Sequence, residues 1–216
     1  KPYGTLTEDE LSSMYAELCG AGVRAGAGYI MLETFMDVRM MAIAAQEAVK
    51  TGAEVICSMT FGKRGRTPMG DTVKKIVDTL SPLGIAGIGL NCSTDPVGSL
   101  GIIREFAELT TLPLYFKPNS GVGEAYSAEQ FAYEIAPALE FVSFVGGCCG
   151  CNASYIRALK AQSPFALSMF SCLSNGSRGY FPYFDPAKEA VDYENSGYEF
   201  ATSPFGETVA NDLIAG

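Results

Sequence analysis

Apolar positions along the chain fall into two alternating patterns. Short apolar runs begin near residues 29, 55, 86, 112 and 141, and between them apolar residues recur at three- and four-residue spacing. The first pattern predicts strands and the second amphipathic helices. Ahead of the first run, Thr7 and Glu10 make a capping-box pair. Leu11, Met14, Tyr15, Leu18 and Cys19 then mark one helical face, which the glycines at 20, 22, 26 and 28 are expected to end. A strand over 29–32 delivers Glu33-Thr34. A helix over 37–50 is striped by Val38, Met41, Ala42, Ala45, Ala48 and Val49 and stopped by Gly52. The strand over 55–60 leads into a polar, glycine-rich loop at 62–70, and Asp71 is expected to cap a helix carrying Val73, Ile76, Val77 and Leu80. The strand over 85–90 ends in Asn91-Cys92, with a helix over 98–109 behind it. The strand over 112–116, interrupted by Pro113, ends in Lys117-Pro118-Asn119-Ser120-Gly121. Ser127 caps a helix through Phe131 and Ile135. The strand over 141–145 runs into Gly146-Gly147-Cys148-Cys149-Gly150, and Asn152 caps a helix through Ile156 and Leu159.

A strand–helix repeat of about 30 residues predicts an α/β fold whose parallel strands are joined by right-handed crossovers. All strand C-terminal ends then lie on one side of the sheet, where such folds carry their chemistry. Glu33, Thr60, Asn91, Cys92, Asn119, Cys148 and Cys149 are therefore expected to converge. From residue 163 the rhythm stops. Aromatic and turn residues dominate in Asn175-Gly176, Gly179-Tyr180-Phe181-Pro182 and Ser203-Pro204-Phe205-Gly206, with short helices expected at 187–193 and 208–214. The expected organisation is one unit over 1–162 and a segment of different origin over 163–216.

Composition narrows the function. The 216 residues are 48% hydrophobic and 18% charged, enough for a packed core. The net charge is −9, and Lys63-Arg64-Gly65-Arg66 is the sole basic cluster, which argues against a nucleic-acid surface. No apolar run reaches the length of a membrane span, and no secretory signal pattern opens the chain. Because the first residue is Lys1, the chain is expected to be a fragment or a processed product. Its seven cysteines are odd in number and two are adjacent. That speaks against a disulfide framework and for thiols that bind metal or react in a reducing, cytoplasmic setting. The absence of histidine excludes His-based triads, His-ligated zinc hydrolases and His general bases.

Cys92, Cys148 and Cys149 suit a zinc ion with one position open to a thiol, which would lose its proton in the field of the metal. Adjacent strand residues point to opposite faces, so Cys148 and Cys149 share an ion only if the chain leaves strand geometry there. Gly146, Gly147 and Gly150 supply that freedom. The alternatives are a closed site with Cys151 as fourth ligand, or three buried thiols without metal. Glu33 reads equally as a solvent-facing carboxylate, Asn91 and Asn119 as turn residues, and Ser58 and Thr60 as plain strand residues.

Five motifs carry a resemblance. They are Leu32-Glu33-Thr34-Phe35; Ser58-Met59-Thr60-Phe61 with Gly65-Arg66 and Gly70; Gly89-Leu90-Asn91-Cys92; Pro118-Asn119-Ser120-Gly121; and Gly146-Gly147-Cys148-Cys149-Gly150. With them, residues 1–162 resemble the homocysteine S-methyltransferase family, especially the homocysteine-binding module of the cobalamin-dependent methionine synthases. The resemblance implies a (βα)8 TIM barrel and zinc held by Cys92, Cys148 and Cys149. It implies homocysteine as substrate, its ammonium held by Glu33, with Thr60, Asn91 and Asn119 beside it. It also implies a methyl donor, methylcobalamin, arriving through a separate module. Only the later five βα units have counterparts, so an incomplete barrel is expected, together with a partner that supplies the earlier half or the cobalamin module. Cys151 stands where the family usually has Thr. Residues 163–216 are more weakly similar to the end of the catalytic domain of neutral/alkaline ceramidase-like hydrolases, without the histidines that family uses for zinc. The expected function is zinc-dependent methyl transfer to homocysteine in methionine synthesis. The alternatives are a non-catalytic fragment or fusion that keeps the zinc motif, or a hydrolase-like role of the C-terminal segment.

Overall fold

Five parallel strands, each followed by a helix, form a single sheet in the order β1-β2-β3-β4-β5. The structure is a computed structural model that describes residues 5–121 and 125–162. The expectations for 163–216, including the two short helices, lie outside the described residues. The strands are β1 (Tyr29–Phe35), β2 (Glu54–Met59), β3 (Gly87–Asn91), β4 (Leu114–Lys117) and β5 (Phe144–Val145). The helices are α1 (Glu8–Arg24), α2 (Val38–Lys50), α3 (Val73–Leu80), α4 (Pro96–Leu109), α5 (Ala128–Ile135) and α6 (Ala153–Gln162). Sequential strand order with an intervening helix is the α/β, TIM-barrel type of architecture, in which all strand C-termini share one side. Among the described residues, β1 and β5 are the two edges of the sheet.

The core lies between the sheet and its helices. Leu32, Val55, Cys57, Met59, Ile88, Leu90, Leu114 and Phe116 point from the strands toward Met41, Ala45, Ile76, Leu80, Ile103, Phe106, Phe131 and Leu159. The opposite face carries Tyr29, Met31 and Glu33 of β1 in period-two alternation with the partly buried Ile30 and the core residue Leu32. Tyr29 is 70% exposed and Met31 43%. Among the described residues no helix is long and apolar enough to cross a membrane.

Several boundaries differ from the sequence expectation. The capping box at Thr7 is present, but α1 continues through Gly20 and Gly22 to Arg24. Its buried stripe is Leu11, Tyr15 and Cys19, at four-residue spacing, whereas Met14 and Leu18 are exposed. Helix α1 packs chiefly on α2, and a single neighbour covers only a narrow stripe. Thr72, not Asp71, caps α3 by accepting from the amide of Lys75. Asp71 is buried and instead accepts from the amide of Val38, tying the start of α2 to the 62–70 loop. Strand β4 begins only after Pro113, which has no amide to give a ladder. Residues 136–142 coil through a 3₁₀ turn (Ala136–Ala138), which shortens β5 to two residues.

Candidate functional site

Three thiols meet at the C-terminal side of the sheet. The Sγ atoms of Cys92, Cys148 and Cys149 all lie within 4.8 Å of one another, with Cys92 and Cys149 3.1 Å apart. Backbone hydrogen bonds continue past the strand ends and fix the turns that carry them. Cys92 N donates to Lys117 O (3.1 Å), Cys148 N to Pro118 O (2.9 Å) and Ser120 N to Cys149 O (2.9 Å). Asn119 Oδ1 accepts from Cys149 N at 3.1 Å, and Thr60 Oγ1 donates to Cys92 O at 3.0 Å. Gly150 has φ +80°, and a Cβ there would sit 2.0 Å from Ser120 Oγ, so this turn requires glycine. The chain thus abandons strand geometry directly after Val145, and both adjacent cysteines reach one point.

The two non-glycine residues with positive φ among the described residues both lie here: Thr34 at 63° and Cys92 at 51°. A β-branched residue in the left-handed region is a true outlier, and such strain concentrates where the surroundings over-determine it. The cause at Thr34 is Asn91. Its Oδ1 accepts from Thr34 N (2.9 Å) and Ser58 Oγ (2.7 Å), and its Nδ2 donates to Thr34 Oγ1 (2.7 Å) and, at 3.9 Å, to Cys148 Sγ. The β1–β2 register slips between Leu32 and Phe35, an irregularity that brackets Glu33 and the left-handed Thr34.

Glu33 Oε1 accepts from Tyr115 Oη and from Lys117 Nζ, the latter at 3.0 Å. Lys117 is buried at 5% exposure, and its Nζ lies 5.5 Å from the centre of the Tyr115 ring. The glutamate side chain keeps 31% of its surface exposed. Sequence alone does not single out Tyr115 and Lys117 as site residues. The usable signal is their two-residue spacing on β4, which puts both on the face opposite the core, with a lysine inside an apolar strand.

The electrostatics of the thiols are uneven. The hydrogen bond shared with Cys92 is the largest cause holding the Cys148 thiol down to about 6. The Cys149 backbone, Asn91 and the Lys117 ammonium act in the same direction, and burial opposes them. Cys92 is pushed far above the usual thiol range, first by that same hydrogen bond and then by burial and Cys149. The hydrogen bond they share thus favours the charged form of Cys148 and disfavours that of Cys92.

These residues fit zinc. Tetrahedral thiolates bound at ~2.3 Å sit about 3.8 Å apart, the scale of this cluster. Soft sulfur donors suit that ion, and the three provide an incomplete ligand set. Cys151 does not belong to the group. Its amide turns back to Cys148 O, and its thiol lies under Gly147, where a Cβ would come 2.5 Å from Cys151 Sγ. The closed four-cysteine alternative does not match this arrangement.

Comparison with known proteins agrees with the geometry. Residues 1–163 match the family model described as homocysteine S-methyltransferase. The chain is 29% identical over 164 residues to methionine synthase of Mycobacterium tuberculosis (strain ATCC 25618 / H37Rv), a match covering 68% of the chain and 14% of the relative. It is 28% identical over 165 residues to methionine synthase of Mycobacterium leprae (strain TN), with the same coverage. The chain thus spans about one-seventh of the length of these relatives. In fold it is similar to the homocysteine methyltransferase MmuM from Escherichia coli. The apo form gives a TM-score of 0.63 at 22% identity, over 76% of this chain and 59% of that one. The metallated form gives 0.64 at 22% identity, over 74% and 54%. With the family model covering three-quarters of the sequence, the chain belongs to the homocysteine S-methyltransferase family.

Proposed function

We propose that this chain binds zinc through Cys92, Cys148 and Cys149 and uses the site to methylate the thiol of homocysteine, forming methionine. The observation that carries this reading is the convergence of three thiols within 4.8 Å at the strand ends, with Glu33 held on the same side of the sheet. Bound zinc would supply the positive charge that makes a thiol lose its proton near neutral pH. The residues of the chain do the rest. Cys148, already disposed to carry charge, and Cys92 and Cys149, positioned by Lys117 O and Asn119 Oδ1, hold the metal. Glu33 takes the substrate ammonium. Asn91, Thr60 and Asn119 contribute by fixing the backbone that presents Glu33 and the three cysteines. In the transfer the homocysteine sulfur, having lost its proton, forms the new S–CH3 bond. The bond from methyl to donor breaks, and its electron pair leaves with the donor. The resemblance to cobalamin-dependent enzymes supports methylcobalamin on a separate module as that donor. The odd count of seven cysteines, two of them adjacent, supports a reducing, cytoplasmic setting.

The purified chain is expected to hold about one zinc per molecule, and Cys148→Ser to lose it, as read by metal analysis and zinc titration. A wild-type chain that takes up no zinc would falsify the proposal. A second reading, a zinc-binding but non-catalytic fragment, draws support from the exposure of Tyr29 and Met31 on the face that a barrel encloses. Calorimetric titration of the zinc-loaded chain with homocysteine separates the two: binding favours the methyltransferase, and silence favours the fragment.

A further inference from the structure

The environment of Lys117 is unusual enough to require a role. Its side chain comes off the last residue of β4, on the face opposite the core, and is 5% exposed. An ammonium has three donors. One goes to Glu33 Oε1 at 3.0 Å, and the Tyr115 ring lies beside it at 5.5 Å. A buried cation needs its remaining donors satisfied and its charge matched. On the other side of the pair, Glu33 directs Oε1 to both Tyr115 and Lys117, keeps a second carboxylate oxygen, and stays one-third exposed. The ion pair is tied to the thiols from both ends. Lys117 O accepts from Cys92 N, and Glu33 precedes Thr34, whose backbone and hydroxyl are held by the same Asn91 that reaches Cys148 Sγ.

An α-amino acid carries a carboxylate and an ammonium one carbon apart, and a fixed acid–amine pair is complementary to both. We propose that Lys117 binds the α-carboxylate of the thiol substrate while Glu33 takes its α-ammonium, so that the Glu33–Lys117 pair selects a zwitterionic amino-acid thiol. This rests on the homocysteine reading and deepens it. In the substrate-free chain the two side chains satisfy each other; on binding, each gains the opposite charge of the ligand. Lys117 is then a specificity residue, and its pairing restrains Glu33 from binding a simple amine.

The test uses the full zinc-loaded chain and three probes: homocysteine, 3-aminopropane-1-thiol (no carboxylate) and 4-mercaptobutanoate (no amine). In calorimetric titration, Lys117→Met is expected to weaken homocysteine by about tenfold or more, the scale of a hydrogen bond to a charged group. The same variant should bind 3-aminopropane-1-thiol as tightly as wild type or more tightly, because Glu33 is released. Glu33→Gln should show the mirror image, losing homocysteine affinity while 4-mercaptobutanoate holds or improves. A residue that merely props up the fold would weaken all probes together. Zinc content of Lys117→Met, and of Lys117→Gln as a polar control, reports on folding apart from ligand binding. Equal losses for homocysteine and the aminothiol in both Lys117 variants, or no loss at all, would overturn the assignment and leave the methyltransferase reading standing. A wild-type chain that binds zinc but not homocysteine would overturn both.

Discussion

Asn91 is fully buried with both ends of its amide engaged. It satisfies Ser58 and Thr34, and it keeps Thr34 in a backbone conformation that a threonine otherwise avoids. Its amide oxygen and nitrogen are engaged within the chain, as a positioning role requires. Replacing it leaves Ser58 Oγ and Thr34 N without their partner in a dry place, each worth about 1–3 kcal/mol. Asn91→Ala is expected to destabilise the chain by about 3 kcal/mol in chemical denaturation. It should also weaken zinc, because the left-handed turn at Thr34 relaxes and Cys148 loses a donor. Adding Ser58→Ala to Asn91→Ala should be cheaper than Ser58→Ala alone, since the hydroxyl is already orphaned. Additive effects in the denaturation cycle would refute the shared role. Asn91 and Cys92 were visible in the sequence because they end an apolar run at a strand terminus. The partnership with Thr34 was not, since residues 57 positions apart meet only through parallel pairing of β1, β2 and β3.

Among the elements, the strands and their order were legible because each apolar run is followed by a capped helix. Thr7 and Ser127 cap α1 and α5 as expected, and Asn152 accepts from Ser154 N at the start of α6. The less legible parts were decided by neighbours. Pro113 hid the start of β4, and with it the alternation that sets Tyr115 and Lys117 beside Glu33. Met14 and Leu18 matched the helical period but found nothing to pack on. The docking of α1 onto α2 depends on a polar contact that periodicity does not show. Glu47, buried on α2, accepts from Ser12 Oγ of α1 and Lys50 Nζ, each at 2.6 Å. The lysine bond first, and the serine second, hold the Glu47 carboxyl below its ordinary range. A carboxyl depressed in the folded state stabilises above its unfolded pKa and loses that contribution as pH falls through the folded value. Glu47→Gln is therefore expected to lower stability by about 1 kcal/mol at neutral pH, the exposed lysine end contributing little. The difference from wild type should disappear on acidification below the ordinary glutamate range. Denaturation curves of both proteins across that range provide the check, and a difference that persists in acid would rule the ion-paired account out.

Among the described residues the helices pack on one face of the sheet, while on the other face Ile56, Ser58, Tyr115 and Lys117 of the inner strands are buried and the apolar residues of the edge strands are exposed. Leu32, Cys57, Met59 and Phe116 are buried under α2 to α6, while Tyr29 and Met31 of β1 and Phe144 of β5 stay exposed on the two edge strands. In a barrel-type fold that second face is the interior, and it is also the face that carries Glu33, Tyr115 and Lys117. The metal cluster does not depend on this apolar rim, because its three cysteines are held by backbone bonds to Lys117 O and Pro118 O and by Asn119 Oδ1, on β4 and the turns beyond it. The two properties should therefore separate. Substituting Tyr29→Lys and Met31→Lys together removes exposed apolar surface and is expected to change the stability of this chain by no more than about 0.5 kcal/mol per site. Zinc stoichiometry should stay at the wild-type value, and binding of an environment-sensitive apolar dye should fall. If the same pair of substitutions instead unfolds the chain or expels zinc, Tyr29 and Met31 are packed in solution rather than exposed.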